Sequence, residues 1–204
     1  MSRGVFIVLE GGEGSGKTTQ AQMLAERLAA SGVDVVRTFE PGATGRGAGW
    51  RAAVLDDHRP LDDRAELLLI AADRAQHVAE VIRPAIERGA VVVCDRHSPS
   101  SITYQGVGRG LGVEGVVAVC DLATGDVRPD AVIVLDVSDA ASRVRRPDVP
   151  DRIEREGDEF HARVRAAYRE LAPRFGWTVV DGEGTIELVA ERVAAVVAPL
   201  LDGA

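Results

Sequence analysis

The sequence predicts an α/β fold in which a five-stranded parallel sheet is flanked by helices on both faces. Five short segments rich in Val and Ile have the near-continuous apolar pattern of strands buried on both sides. Amphipathic stretches with apolar residues at three- and four-residue steps lie between them. Strands that alternate with helices favour parallel pairing. No repeat, low-complexity tract or linker divides the 204 residues, so we predict one domain over residues 1–204.

Each predicted strand is a short apolar run that ends near a polar or turn residue. The first (GVFIVLE) leads into a glycine-rich loop, and the third (AVVVCD) and fourth (DAVIVLD) end in aspartate. Runs of this length bounded by Gly and Asp are typical of buried strands rather than helices. The strands are predicted at residues 4–10, 34–39, 90–95, 130–136 and 177–181.

Amphipathic periodicity predicts the helices that cover this sheet. The main predicted helices span residues 17–30, 61–88, 160–174 and 185–201. Between the fourth strand and the next helix lies a charged segment, residues 142–155 (SRVRRPDVPDRIER), which is rich in Arg, Pro and Asp. A long charged connection of this kind is typical of a functional loop. We predict that it forms a short mobile lid.

Composition and charge exclude several classes of protein. Hydrophobic residues make up 46% of the chain and the formal net charge is −8 at pH 7, which argues against disorder and against non-specific binding to nucleic acid or anionic membranes. No apolar run reaches the roughly 20 residues that a membrane-spanning helix needs. We expect a cytoplasmic protein. Cys94 and Cys120 lack metal-ligand spacing and predict reduced core thiols.

A phosphate-binding motif follows the first strand. Residues 11–18 (GGEGSGKT) fit G-x-x-x-x-G-K-[ST] and open an amphipathic helix, the context that a P-loop requires. Lys17, the only lysine beside 23 arginines, would reach the β- and γ-phosphates, and Thr18 would ligate Mg²⁺. The alternative is a glycine-rich turn that binds nothing. The predicted ATP-binding residues are Gly11, Gly12, Glu13, Gly14, Ser15, Gly16, Lys17, Thr18 and Thr19.

The P-loop predicts a P-loop NTPase three-layer fold, a class that includes GTPases, ATPases and small-molecule kinases. A GTPase needs an N-K-x-D stretch to read guanine, and this chain has no second lysine with which to build one. The ATP motor classes typically have larger cores. One domain with a charged lid therefore favours a kinase of small metabolites.

Five motifs in order resemble the thymidylate kinase family. They are the P-loop, Glu40-Pro41-Gly42, residues 67–77 (LLLIAADRAQH), residues 95–106 (DRHSPSSITYQG) and residues 151–154 (DRIE). The resemblance extends from residue 5 to about residue 175 and implies transfer of the ATP γ-phosphoryl group to dTMP, giving dTDP, with Mg²⁺ as cofactor. It also implies a homodimer formed by helix packing.

The resemblance implies a role for each residue that matches a motif. Arg96 and Arg51 would hold the acceptor phosphate, Asp95 would support Mg²⁺ through water, and Glu40 would border the acceptor sugar. Arg74 would bond the thymine edge. The base and sugar pocket would be completed by Ile70, Ser101, Tyr104 and Gln105. Surface ion pairs, solvated helix faces and ordinary packing are the competing explanations for these residues.

The lid is predicted to supply a cation to the transferring phosphoryl group. Residues 12–15 of the P-loop include no Arg or Lys, whereas the lid contains five arginines, of which those at positions 143, 145, 146 and 152 are the candidates. Closure over ATP would bring one of them in as an internal arginine finger. The DRIE match favours Arg152, with Arg146 second. The alternative is a solvated charged loop.

Three positions depart from the family pattern and keep other acceptors open. Ile70 stands where a phenylalanine commonly stacks on thymine, His97 where tyrosine is usual, and Ala43 where a second glycine is usual. An aliphatic wall at position 70 still excludes water but forfeits aromatic stacking worth about 1 kcal/mol, which leaves the preference for thymine open. A kinase of dUMP or of a modified pyrimidine monophosphate is therefore one alternative. A regulator that binds nucleotide without turning it over is another.

Overall fold

Five parallel strands form the centre of the protein, for which a computed structural model describes residues 3–56, 58–145 and 151–201. The strand order is β2-β3-β1-β4-β5. Ile7 in β1 pairs with Val93 on one side and with Ala131 on the other. The strands span Phe6–Glu10 (β1), Val35–Phe39 (β2), Val91–Asp95 (β3), Ala131–Asp136 (β4) and Thr178–Asp181 (β5). The predicted strands are thus confirmed, with starts one or two residues later than expected.

Helices cover both faces of the sheet. They span Lys17–Ala30 (α1), Gly47–Leu55 (α2), Asp63–His77 (α3), Arg83–Glu87 (α4), Ser98–Ser101 (α5), Val113–Thr124 (α6), Asp139–Val144 (α7), Asp158–Phe175 (α8) and Ile186–Leu201 (α9). Two wider, π-helical segments, Val78–Ile82 and Ile102–Gly108, continue α3 and α5. Within the described ranges, no helix combines the length and the hydropathy needed to cross a bilayer.

The predicted helix over residues 61–88 differs from the structure in two ways. It begins at Asp63, because the Asp62 carboxylate accepts from the backbone N–H groups of Arg64 and Ala65 and so caps the first turn. A π-helical segment interrupts it before α4. Four further helices, α2, α5, α6 and α7, were not among those predicted.

Strand alternation divides the core between the two faces of the sheet. Phe6 and Val8 point towards the layer that contains α3, α4, α6 and α8. Ile7 and Leu9 point towards α1 and α9. All four side chains are fully buried, so β1 is the centre of both apolar layers. The rigid carboxyl ends of β1, β2 and β3 therefore provide a fixed base for the loops that follow them.

Candidate active site

A cavity of about 350 Å³ opens at the carboxyl edge of the sheet, where β1, β2 and β3 end. The structure brings together here most of the residues that the sequence predicts for nucleotide and metal binding. The predicted residues that line it are Glu13, Lys17, Thr18, Glu40, Arg51, Ile70, Arg74, Asp95, Arg96, Ser101, Tyr104 and Gln105. One end is the P-loop and the other is the buried face of α3. One cavity therefore joins P-loop residues to α3.

The P-loop has the backbone conformation that a phosphate cradle needs. Gly14 and Gly16 have φ values of 70° and 89°, a region that side-chain-bearing residues disfavour. The buried Lys17 curls back so that its Nζ donates to the Gly12 carbonyl at 2.9 Å. Burial and the neighbouring Arg96 lower the pKa of Lys17. Thr19, which follows in α1, is exposed outside the cavity lining.

Oxygen ligands suited to Mg²⁺ lie beside the P-loop. The Thr18 hydroxyl donates to Asp95 Oδ2 at 2.5 Å. The other carboxylate oxygen, Asp95 Oδ1, is buried and has no hydrogen-bond partner among the described residues. No group of three or more His, Cys, Asp or Glu suited to a metal occurs in the described part of the chain. One hydroxyl and one carboxylate fit an ion that takes its remaining ligands from phosphates and water.

A buried carboxylate at the end of β1 shapes the turn that carries Arg96. Glu10 Oε1 accepts from the backbone N–H of His97 at 2.8 Å, and Glu10 Oε2 accepts from the hydroxyls of Ser100 and Tyr168, both at 2.7 Å. Arg96 itself has a φ of 71°. These contacts fix a strained backbone conformation that aims Arg96 at the P-loop.

Arg96 is paired with the acidic P-loop residue. Its guanidinium forms an ion pair with the Glu13 carboxylate and lies 5.0 Å from the centroid of the Tyr104 ring. The Tyr104 hydroxyl donates to Glu13 Oε1 at 2.9 Å. Burial opposes ionisation of Glu13, but Arg96 and Lys17 lower its pKa to about 2. Positive and negative groups thus alternate where the donor and acceptor phosphates would meet.

The far end of the cavity is built around Glu40. Its carboxylate accepts from Arg74 Nε at 2.8 Å and from His77 Nδ1 at 2.9 Å. Although burial raises the pKa of Glu40, the neighbouring His97, Arg74 and His77 bring it to about 2. Arg74 also donates through Nη1 to the Ser101 hydroxyl at 3.1 Å. The buried arginine is thereby held along the floor of the cavity.

Arg51 lies at the cavity mouth. Its Nη1 donates to the Pro41 carbonyl at 2.9 Å, and its guanidinium lies 5.9 Å from the centroid of the Phe39 ring. A Cβ on Gly42 would come within 2.7 Å of the Arg51 Cδ. Glycine at position 42, where φ is 112°, therefore lets the Arg51 side chain pass over the loop.

Arg152, the favoured lid arginine, does not reach the P-loop in this structure. Arg152 is absent from the cavity lining; it forms an ion pair with Glu66 and donates to the Val54 carbonyl at 2.7 Å. Arg146 and the rest of residues 146–150 lie outside the described residues. Arg143 pairs with Asp158 at 2.9 Å on the surface. The role of an arginine finger stays a prediction.

Three buried acidic or basic residues of this site escaped the sequence interpretation. Glu10, Glu66 and His77 are each fully buried and each contacts a predicted site residue or the turn that carries one. The sequence did offer one indication of Glu10, because a carboxylate ends the apolar first strand directly before the P-loop. Glu66 gave no such indication in the sequence, because acidic residues are common in the first turn of a helix.

Comparison with known proteins identifies close similarity to one family. The family model for thymidylate kinase matches residues 9–193. A thymidylate kinase from Leifsonia xyli subsp. xyli is 47% identical over 196 residues, which cover 93% of this chain and 92% of the relative. A thymidylate kinase from Halothermothrix orenii is 46% identical, covering 94% of this chain and 95% of the relative. A crystal structure of thymidylate kinase from Ehrlichia chaffeensis superposes with a TM-score of 0.78 at 33% identity and covers 96% of this chain and 99% of that one.

Proposed function

We propose how the site residues divide the work of phosphoryl transfer in this chain, which belongs to the thymidylate kinase family. The chain is an ATP-dependent nucleoside monophosphate kinase that acts on dTMP. The observation that carries the assignment of roles is the single cavity that joins the P-loop at one end to Arg74 and Glu40 at the other. A phosphate donor and a nucleoside monophosphate would meet near Arg96.

At the donor end, the P-loop backbone and Lys17 bind the ATP phosphates. The Lys17 ammonium, now on the Gly12 carbonyl, exchanges that contact for phosphate oxygens. Thr18 and Asp95 would hold Mg²⁺, the latter through water, using the oxygen that has no partner in the described structure. Mg²⁺ would neutralise charge on the donor phosphates. Catalysis here is chiefly positioning and charge neutralisation.

At the centre, arginine forks bind the acceptor phosphate. The second pKa of a phosphate monoester is near 6, so at neutral pH the acceptor oxygen is already largely unprotonated and no general base is needed. Arg96 leaves Glu13 to form charge-assisted hydrogen bonds with this dianion. Arg51 joins it from the cavity mouth. One of the lid arginines, Arg152 or Arg146, would neutralise charge on the transferring phosphoryl group. Arg152 would first have to be released from its ion pair with Glu66.

At the acceptor end, the buried side chains read the nucleoside. Glu40 borders the sugar and positions Arg74, which bonds the thymine edge. Ser101, Tyr104 and Gln105 line the remaining pocket, and Ile70 gives an aliphatic wall in place of an aromatic one. An aliphatic wall excludes water but does not stack on a base. dUMP is therefore a second acceptor worth testing beside dTMP.

A homodimer formed by helix packing is also proposed. Leu68 on α3 and Leu122 on α6 are 60% and 86% exposed. The two helices pack against each other. Large exposed apolar side chains on adjacent helices favour an interface. Light scattering of the purified chain measures its mass. The cytoplasmic location predicted from the sequence remains a prediction.

The experiment that tests the proposal is acceptor profiling. ADP release from Mg²⁺-ATP is measured with dTMP, dUMP, dCMP, UMP, AMP and GMP at matched concentrations. We expect dTMP to lead in kcat/KM by about tenfold or more, as membership of the thymidylate kinase family implies. Contacts of Arg74 and Gln105 with a pyrimidine edge would exclude AMP and GMP but would not separate dTMP from dUMP. A lead by another acceptor would overturn the pocket assignment. Omission of Mg²⁺ should abolish turnover, and turnover that persists without a divalent cation would contradict the metal site.

A further inference from the structure

Glu66 is a buried carboxylate in the first turn of α3 whose one role in the proposal above is to hold Arg152. The Glu66 side chain is fully buried, whereas an acidic side chain in an amphipathic helix usually lies on the exposed face. Its partners come from two other parts of the chain: Arg109 Nη2 donates to Oε2 at 3.1 Å, and Arg152 pairs with the same oxygen. Burying a charge at this position is costly unless it is fully paired.

The position of the Glu66 carboxylate is itself fixed by the guanidinium groups around it. Arg109 is paired with Glu156 as well as Glu66, and it lies 4.9 Å from the centroid of the Phe160 ring. Burial opposes ionisation, but the hydrogen bonds from Arg152 and Gln105 and the charge of Arg109 lower the pKa of Glu66. Glu66 is therefore an ionised group, which can accept hydrogen bonds but cannot donate them.

That ionised group decides which way the Gln105 amide points. Gln105 Nε2 donates to Glu66 Oε1 at 2.7 Å. The reverse orientation would place the amide oxygen against a carboxylate oxygen and is excluded by repulsion. The Gln105 carbonyl oxygen, Oε1, is buried and has no hydrogen-bond partner among the described residues. Gln105 lines the acceptor cavity, so a base that binds there, with a small movement of the surrounding side chains, would give this buried oxygen its partner.

We propose that Glu66 is a positioning residue that sets the base selectivity of the acceptor site by locking the Gln105 amide with its oxygen towards the base. An oxygen in this position accepts from the N3–H group of thymine or uracil. Cytosine has no hydrogen on N3 and presents an acceptor there, so it would leave two acceptors facing each other. The inference rests on the proposed function, because it takes this cavity as the site of the pyrimidine nucleotide.

Glu66→Gln tests the proposal with almost no change in side-chain shape. A neutral amide at position 66 donates as well as accepts, so the Gln105 amide is free to turn over and present N–H to the base. We expect KM for dTMP and for dUMP to rise together by about tenfold, and the inhibition constant of dCMP against dTMP to fall or stay constant. The ratio of KM for dTMP to KM for dUMP serves as an internal control and should not change, since both bases carry N3–H.

Two further variants separate this role from a structural one. Glu156→Gln removes one of the two other carboxylates that pair with Arg109 but does not touch Gln105. The ratio of the dCMP inhibition constant to KM for dTMP should therefore stay within twofold of the unmodified enzyme. Gln105→Leu should lower that ratio by itself, and Glu66→Gln should add nothing to it in the double variant.

Three results distinguish the outcomes. Equal losses for dTMP and dCMP in Glu66→Gln, or an equal change in Glu156→Gln, would overturn the proposal and leave Glu66 as a packing residue. If Glu66→Gln does not fold, an unchanged ratio in Gln105→Leu overturns it instead. Failure of the proposed function is recognised separately, because the unmodified enzyme would then not phosphorylate dTMP at all.

Discussion

Replacement of His97 by glutamine is expected to make the stability of the protein less sensitive to acid. The His97 imidazole is 1% exposed and lies against the Phe6 ring, with 5.2 Å between the ring centroids. Its Nε2 has no hydrogen-bond partner among the described residues. Burial lowers the pKa of His97 from 6.5 to about 4, with Arg74 and His77 acting in the same direction and Glu40 against it.

The magnitude follows from the difference between the two pKa values. The unfolded chain takes up a proton on this histidine near pH 6.5, whereas the folded chain does so only near pH 4. The contribution to stability is thus fully present above pH 6.5 and is lost as the pH falls towards 4. At 1.36 kcal/mol per pKa unit, the loss from His97 alone is about 3 kcal/mol.

Urea unfolding followed by circular dichroism at several pH values between 7 and 4 measures this loss. As the pH falls, the free energy of unfolding should decrease less steeply for the His97→Gln variant than for the unmodified chain. The slopes of the two curves against pH should differ by the amount that corresponds to the uptake of about one proton. His58→Gln, at an exposed position, is the matched control and should follow the unmodified chain. Parallel curves for His97→Gln and the unmodified chain would refute the reasoning.

Two catalytic predictions complete the set. Lys17→Met should lower kcat by at least a factor on the order of 10², and Lys17→Arg should not restore it, because a planar guanidinium does not reproduce the buried ammonium on the Gly12 carbonyl; activity within threefold of the unmodified enzyme in either variant would contradict the P-loop assignment. Arg152→Ala should lower kcat by a factor on the order of 10³ with a much smaller change in ATP affinity, as measured by steady-state kinetics and nucleotide titration. An unchanged kcat would give the finger role to another lid arginine.

The strands were predictable because their signal is local. A strand buried on both faces needs an unbroken apolar run, and all five runs are visible in the sequence. Helix α6 gives the opposite lesson. Its sequence, VEGVVAVCDLAT, is rich in β-branched residues that disfavour helix. Tertiary packing of Val116 and Cys120 into the core overrides that preference.

The candidate site was predictable where its residues follow strands. Lys17 follows the loop after β1, Glu40 comes directly after β2, and Asp95 is the last residue of β3. The carboxyl ends of these parallel strands share one edge of the sheet. The contacts of Glu66 could not be predicted, because its partners lie far away in the sequence. An acidic residue in the first turn of a helix is also too common to indicate a special role. The position of Arg152 likewise depends on this distant partner. Sequence motifs point to candidate site residues, but only the packed structure shows which side chains position them through hydrogen bonds and ion pairs.

The left-handed backbone at Arg96 shows why backbone geometry alone is a poor guide to stabilising this protein. A side-chain-bearing residue at a φ of 71° costs on the order of 1 kcal/mol relative to glycine. Glycine at this position would relieve that strain, but it would also leave the Glu13 carboxylate without its guanidinium partner, and breaking a buried ion pair costs about 3 kcal/mol. A laboratory screen for thermostability would therefore retain arginine at position 96. Heat resistance and turnover thus select the same side chain here.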